Sequence, residues 1–205
     1  MCPAAFFFSA AGQWWAFLGG TLLVCVWRLG EQFHPLLRST ARALGRDILS
    51  AVVVETYVIF LGTFAVLLLA QPGGQWWTLA LFILVVATDT GAYVTGLVWG
   101  RRLLAPSISP KKTWEGFIGS LVSGLIAGIL LAVFMLGQPW WFGLIFGGIL
   151  VGTATLGDLS ESLIKRDLGV KDMSSWLPGH GGFLDRFDSI LPSAAAAYAL
   201  FLLFA

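Results

Sequence analysis

Charged residues are scarce in this chain of 205 residues: 11% are Asp, Glu, Lys or Arg, whereas 58% are hydrophobic. So little polar surface cannot cover a water-soluble globule, and the apolar residues form runs long enough to cross a bilayer core of about 30 Å. The sequence also lacks the alternating polarity that transmembrane strands require. Its two cysteines, Cys2 and Cys25, would lie roughly 34 Å apart on one helix, which excludes a disulfide framework. The sequence therefore predicts an all-α, polytopic integral membrane protein.

Six apolar runs are candidate transmembrane helices. They extend over Phe6 to Trp27, Ile48 to Ala70, Trp76 to Gly100, Phe117 to Gly137, Trp140 to Leu156 and Ile190 to Ala205. No polar stretch between them is long enough for an independent core, so we expect one membrane domain over residues 1–205. Residues 1–86 show no recognisable motif, residues 87–189 hold the charged motifs, and residues 190–205 form the last span. We expect the first run to be a retained span, because it lacks the basic start of a signal peptide.

The basic residues occupy alternate connectors between these runs. Every Lys and Arg lies within Arg28 to Arg46, Arg101 to Lys112 or Lys165 to Arg186, and the other two connectors carry no charge. By the positive-inside rule, these three segments face the cytoplasm and both termini lie on the opposite side. The last and longest of them is expected to be a cytoplasmic catalytic loop between the last two spans.

Small and aromatic residues predict how the helices pack and where they are anchored. Small residues recur every three or four positions in the fourth and fifth spans, at Gly119, Ser120, Ser123, Gly124, Gly128, Gly143, Gly147, Gly148 and Gly152. This spacing lets helices approach closely. Tryptophans near span ends on the uncharged side are expected to anchor the protein at the membrane interface, namely Trp14, Trp15, Trp76, Trp77, Trp140 and Trp141.

Acidic residues lie at both ends of the last polar segment. Asp158 follows the fifth run, and Asp185 and Asp188 precede the sixth. Carboxylates that converge beside a membrane repel unless a cation neutralises them, and hard oxygen ligands favour Mg²⁺. We interpret Asp158 and Asp185 as metal ligands and Asp188 as a direct or indirect ligand. The alternative is that each acid pairs with a nearby base, and for Glu161 we favour pairing with Lys165 four residues along.

Basic residues and glycines in the same segment are candidates for phosphate binding. If the chain after Asp158 is helical, Lys165 and Arg166 lie about two turns beyond it, so at least one of them points back toward the metal. The glycine-rich loop at His180, Gly181 and Gly182 can turn its backbone N–H groups into an anion-binding nest.

The second basic segment, SISPKKTWEG, offers a further phosphate site. Pro110 prevents a preceding helix from continuing, and Thr113 is placed to cap the fourth helix. Lys111 and Lys112 present two ammonium groups on the same side of the membrane as the acids. Topology alone would account for two lysines, and phosphate contact is a second role for them.

Two acids lie inside predicted spans, where an ionised carboxylate is costly and usually functional. We assign Asp89 to a buried polar wall of the site or to an accessory cation. For Glu55 we favour a structural role, protonated or hydrogen-bonded to Thr56 or Tyr57.

These segments together resemble the phosphatidate cytidylyltransferase family, also called CDP-diacylglycerol synthases. The resemblance lies in SLIKRDLGVKDMSSWLPGHGGFLDRFD, which ends at Asp188, and in GDLSES at 157–162, SPKKTWEG at 109–116 and DTGAY at 89–93, in the family's order. It covers roughly the C-terminal half of the chain or more. Members usually carry additional spans on the N-terminal side.

The resemblance implies a reaction of CTP with phosphatidate that gives CDP-diacylglycerol and pyrophosphate, dependence on Mg²⁺ with room for a second cation, and a bacterial inner membrane. The partners implied are CTP, phosphatidate and membrane lipids, with no nucleic acid, and a homodimer is left open. The catalytic residues implied are Asp158, Lys165, Arg166, Asp185 and Asp188. The substrate-binding residues implied are Ser109, Lys111, Lys112, Thr113, His180, Gly181, Gly182 and Arg186.

Nucleotidyl transfer of this kind depends mainly on charge stabilisation and positioning. A phosphomonoester with a second pKa of about 6 is mostly dianionic at neutral pH, so no protein base is needed and His180 is expected to bind phosphate or to be structural. Two other functions stay open: a related CTP-dependent enzyme acting on another lipid phosphate or a polyprenol, and a small proton-coupled transporter that uses Glu55 and Asp89 as relay groups.

Overall fold

The computed structural model describes residues 2–33, 40–106, 108–167 and 187–205. Within these residues the chain is almost entirely helical. The helices are α1 (Cys2–Glu31), α2 (Ala41–Val54), a π-helical turn (Glu55–Phe60), α3 (Leu61–Leu69), α4 (Gly74–Trp99), α5 (Trp114–Phe134), α6 (Trp140–Asp167) and α7 (Ile190–Phe204). Two short strands, β1 (Leu103–Ala105) and β2 (Ser109–Thr113), lie between α4 and α5.

The helices confirm the all-α membrane class. Among the described residues, four helical segments are long and apolar enough to cross a membrane, namely Arg42–Leu69, Gly74–Trp99, Trp114–Phe134 and Trp140–Arg166. The first and last predicted spans correspond to α1 and to α7, a shorter apolar helix. The helix that contains the predicted fifth span continues beyond Leu156 to Asp167. Asp158 therefore lies on α6.

Glycines allow α4, α5 and α6 to pack backbone against backbone, as their spacing predicts. A Cβ on Gly119 of α5 would collide with Thr95 of α4, and a Cβ on Gly128 would lie 3.0 Å from the Cα of Gly147 in α6. Helices without a hydrophobic driving force between them in lipid gain contact from such close approach. These three helices form the layer that carries the candidate site.

The core lies at the end of the bundle that carries no charge. Trp77 is only 5% exposed and its ring lies 5.7 Å from that of Phe142, 6.1 Å from Phe146 and 5.3 Å from Phe201. The prediction that Trp77 anchors the protein at the interface is therefore wrong, because its side chain faces α6 and α7. The neighbouring Trp76 is exposed, as an anchor would be.

Glu55 begins the π-helical turn that joins α2 to α3. Its buried carboxylate accepts a hydrogen bond of 3.0 Å from the hydroxyl of Thr21 on α1. The predicted structural role fits this contact, but the predicted partners are wrong. Thr56 donates to the carbonyl of Val52, and Tyr57 donates to α6.

The connector between α4 and α5 is a β-hairpin, which the sequence analysis did not predict. Its strands pair antiparallel, with Leu103 opposite Thr113. The carboxylate of Glu115 closes the hairpin base by accepting from the backbone N–H groups of Arg101 at 3.1 Å and Arg102 at 3.2 Å. The helix predicted to stop before Pro110 ends earlier, at Trp99, and Pro110 lies in β2.

Thr113 is the N-cap of α5, as predicted. Its hydroxyl accepts a hydrogen bond of 3.1 Å from the backbone N–H of Gly116. Such a cap satisfies one of the otherwise unpaired donors at a helix start. The cap and the hairpin together fix Lys111 and Lys112 immediately before α5.

Candidate active site

A cavity of about 450 Å³ lies between α4, α5, α6 and the hairpin, with the start of α7 at its side. Its polar lining consists of Thr88, Asp89, Tyr93, Lys111, Lys112, Thr113, Ser120, Thr155, Asp158 and Ser189. Leu97, Leu104 and Phe117 contribute apolar walls. A pocket of this size with a few convergent charges is a candidate site for a small-molecule reaction.

An ion pair joins the two motif segments that line this cavity. The ammonium group of Lys112, at the end of the hairpin, contacts the carboxylate of Asp158 on α6. The side chain of Asp158 is 38% exposed and that of Lys112 is 22% exposed, so both remain accessible from the cavity. The structure thus brings a residue predicted to bind metal within contact of one predicted to bind phosphate.

Asp89 lines the same cavity from α4. This position suits its predicted place in a polar wall of the site, and its side chain is open to the cavity. Asp89 therefore shares the cavity with Asp158 and Lys112.

Asp188 is 9% exposed and lies just before α7. Its carboxylate accepts from the backbone N–H of Ser189 at 2.6 Å and from the Ser189 hydroxyl at 3.3 Å. Burial raises the pKa of the Asp188 carboxyl, and the charge of Asp158 acts in the same direction, whereas contacts with Glu161 and Ser189 oppose the rise. Asp158 and Asp188, which are far apart in sequence, thus lie close enough to interact.

Glu161 lies one helical turn beyond Asp158 and is fully buried. Its carboxylate pairs with Lys165 at 3.2 Å, which confirms the predicted i,i+4 pairing. Lys165 therefore points to the inner face of α6. Arg166 is exposed, and its guanidinium donates a hydrogen bond of 3.1 Å to the carbonyl of Ile108, which ties the end of α6 to the hairpin.

The remaining candidate residues are placed less fully. Ser109 opens β2 opposite Ala105 and is half-buried. The other predicted ligands lie outside the described residues: His180, Gly181, Gly182, Asp185 and Arg186. Because Asp185 is one of them, its predicted approach to Asp158 stays a prediction.

The donor chemistry of the site suits a hard cation. Asp158 lines the cavity, and Asp188 directly precedes the lining residue Ser189. Both carry carboxylate oxygens, the ligands that Mg²⁺ takes in proteins. Over the described ranges, no group of three His, Cys, Asp or Glu side chains is close enough to hold a metal ion.

Tyr57 is a residue of this region that the sequence analysis considered only as a partner of Glu55. Its hydroxyl donates a hydrogen bond of 2.9 Å to the carbonyl oxygen of Gly157, the residue before Asp158. No spacing rule could have linked the two, because they are 100 positions apart on different helices. The only sequence signal is a polar Glu-Thr-Tyr string inside an apolar run.

Known proteins with similar sequences are enzymes that act on phosphate groups, as the charged cavity suggests. A family model described as the cytidylyltransferase family matches residues 2–204. The chain is 43% identical over 197 residues to phosphatidate cytidylyltransferase of Mycobacterium bovis, covering 93% of this chain and 64% of the relative. It is 44% identical over 191 residues to phosphatidate cytidylyltransferase of Mycobacterium leprae, covering 89% and 61%.

A relative that matches a shorter part of the chain extends the comparison to plants. The chain is 47% identical over 135 residues to phosphatidate cytidylyltransferase 4, chloroplastic, of Arabidopsis thaliana, covering 62% of this chain and 34% of the relative. The chain spans less than two thirds of the length of the mycobacterial relatives that it matches. Because the family model matches nearly every residue, the chain belongs to the cytidylyltransferase family.

Proposed function

We propose that the protein transfers the cytidylyl group of CTP to phosphatidate, which yields CDP-diacylglycerol and pyrophosphate. The observation that carries this proposal is the cavity at one end of the membrane helices, where Lys112 of the hairpin meets Asp158 of α6. Membership of the cytidylyltransferase family and the names of the curated relatives support the same reaction.

The reaction forms one P–O bond and breaks another. A phosphate oxygen of phosphatidate attacks the α-phosphorus of CTP, and the bond to the β-phosphate oxygen breaks as pyrophosphate leaves. Lys111 and Lys112 line the cavity and supply positive charge for the phosphates. Lys165 and Arg166 are proposed to join them by exchanging their present contacts with Glu161 and Ile108 for substrate phosphates. Most of the rate enhancement comes from positioning and charge stabilisation.

We propose Asp158 and Asp188, completed by Asp185, as the residues that hold Mg²⁺. Bound there, the ion would offset the negative charge of the triphosphate. Lys112 offsets the charge of Asp158 in the ion pair described above, and if Asp158 held a cation the ammonium group of Lys112 would be available to a phosphate. Asp89, on the same cavity wall, is the candidate for a second cation.

The location of the cavity suits a lipid substrate. Leu97 and Phe117 belong to membrane-spanning helices and border the charged groups, so a phosphate in the cavity can remain attached to acyl chains in the bilayer. The positive-inside rule places the hairpin and its cavity at the cytoplasmic face, where CTP is available. Several of the curated relatives are bacterial, and we propose the bacterial inner membrane as the location.

The proposed transporter reading has less support. A proton relay needs Glu55 and Asp89 along one path. Of these two acids, Asp89 lines the cavity and Glu55 does not. Glu55 is instead buried against α1 by its hydrogen bond with Thr21.

The test is turnover by the purified protein in detergent micelles. With Mg²⁺, phosphatidate and CTP labelled at the α-phosphate, we expect label to enter the lipid phase with one pyrophosphate released per lipid. Removal of Mg²⁺ with EDTA should stop the reaction. Transfer to a polyprenyl phosphate at a higher rate than to phosphatidate would contradict the proposed substrate, and no nucleotide-dependent labelling of either lipid would contradict the proposed reaction.

A further inference from the structure

The side chain of Tyr57 connects the N-terminal half of the chain to the acidic end of α6. Its hydroxyl donates a hydrogen bond of 2.9 Å to the carbonyl of Gly157. The hydroxyl therefore contacts the backbone immediately before Asp158.

Gly157 is also a point where α6 meets the start of α7. A Cβ on Gly157 would collide with the carbonyl oxygen of Asp188 and with the ring of Pro192. One backbone position thus contacts the peptide that carries Asp188 and directly precedes Asp158.

The backbone that presents Tyr57 is itself held in place. Tyr57 lies in the π-helical turn, and such turns are rare and often occur at functional sites. Helix α1 contacts both ends of the turn: Thr21 donates to the Glu55 carboxylate at 3.0 Å, and the amide of Gln13 donates to the Phe60 carbonyl at 3.0 Å. The turn therefore presents the phenol from a fixed position.

We propose that Tyr57 is a positioning residue that sets the separation of Asp158 and Asp188 by fixing the backbone at Gly157. The inference rests on the proposed function, in which these two aspartates hold Mg²⁺. Tyr57 is not among the described residues that line the cavity, so it acts through α6 and not on the substrate.

The test compares Tyr57→Phe with Tyr198→Phe in the protein whose sequence is given. Both changes remove one hydroxyl from a partly or fully buried tyrosine, and Tyr198 packs in the core with its ring 5.8 Å from that of Phe64. Mn²⁺ binding is measured by electron paramagnetic resonance, and kcat and the KM for CTP are measured separately. Loss of one neutral hydrogen bond corresponds to about a three- to tenfold effect.

For Tyr57→Phe we expect kcat to fall and Mn²⁺ binding to weaken about three- to tenfold each, with the KM for CTP unchanged and thermal stability close to that of the unmodified protein. Tyr198→Phe should leave metal binding and kcat unchanged. Unchanged Mn²⁺ binding and kcat in Tyr57→Phe would overturn the proposal. So would a variant that loses only thermal stability or fails to fold, because the hydroxyl would then serve the fold as a whole.

The same experiment separates this inference from the proposed function. If the unmodified protein does not transfer the cytidylyl group to phosphatidate, the proposed function fails. The comparison of Mn²⁺ binding between the two variants still decides whether Tyr57 positions the aspartates.

Discussion

The two ends of helices α4 and α6 differ in what fills the space between them. At the uncharged end, Trp77 of α4 and Phe142 and Phe146 of α6 fill the space between helices with aromatic rings. At the other end, α4 and α6 line a cavity of about 450 Å³ that contains Asp89 and Asp158. One end excludes solvent and the other admits charged ligands, so stability and chemistry are separated along the helix axes and can be changed independently.

The largest expected effect is at the charged end. Asp158→Asn keeps the shape of the side chain but removes the charge proposed to hold Mg²⁺, and it should lower CTP-dependent release of pyrophosphate about a thousandfold or more. Thermal unfolding in detergent should change little. The control is Asp47→Asn, which breaks an ion pair of 2.9 Å with Arg28 outside the cavity and should retain activity. Near-normal turnover of Asp158→Asn would contradict its assignment as a metal ligand.

Asp185→Asn is expected to show the same loss of turnover as Asp158→Asn.

The converse change is at the aromatic end. Trp77→Ala leaves a cavity beside Phe142 and Phe146 and should cost about 3–5 kcal/mol of stability, because the lost packing cannot be replaced. The activity of each folded molecule should be retained, measured as turnover per folded protein below the unfolding temperature. Trp140→Ala is the control, since that side chain is 61% exposed and should cost little. Loss of turnover without loss of stability would show that the two ends are not separable.

Lys165→Ala sharpens the comparison within α6. The change removes the ion pair of 3.2 Å with Glu161 and one proposed phosphate contact. We expect the concentration of CTP or phosphatidate needed for half-maximal rate to rise about tenfold. Arg46→Ala, an exposed residue of the first basic segment, should leave it unchanged. Unchanged kinetics for Lys165→Ala would limit Lys165 to its ion pair with Glu161 and to a role in topology.

The smallest expected effect distinguishes two helix caps. Thr113→Val and Thr40→Val each remove an N-cap hydroxyl, from α5 and α2 respectively, and should each cost about 1 kcal/mol of stability. Only Thr113 lines the cavity, so only its variant should also reduce turnover. Equal activity of the two variants would show that the cap does not position the hairpin lysines for the reaction.

The separation of the two ends was partly predictable from the sequence. Apolar runs predict the helices because lipid leaves the backbone few other conformations. The glycine spacing predicts the α5–α6 contact at Gly128 and Gly147 because small residues matter only where helices touch. Thr113 was predictable as a cap, since its hydroxyl acts on the next turn of its own helix.

Features that depend on distant partners were not predictable. The direction in which Trp77 points depends on α6 and α7. Its position near a span end was therefore not enough to distinguish a core residue from an interface anchor. The hairpin was missed because its strands are short and closed by Glu115, whose partners are backbone groups. The extension of α6 beyond Leu156 stayed conditional in the sequence, because hydropathy reports the apolar part of a helix and not its full length.

Gly157 has a consequence for how mutational data on this protein should be read. It carries no functional group, yet the carbonyl of Asp188 occupies the space that any larger residue would need. A scan that scores loss of turnover will therefore rank this position with the reactive ones. Activity alone does not distinguish a reactive residue from one whose small size lets two helices pack. The distance between two labels, one on α6 and one on α7, would show whether a larger residue at position 157 pushes these helices apart.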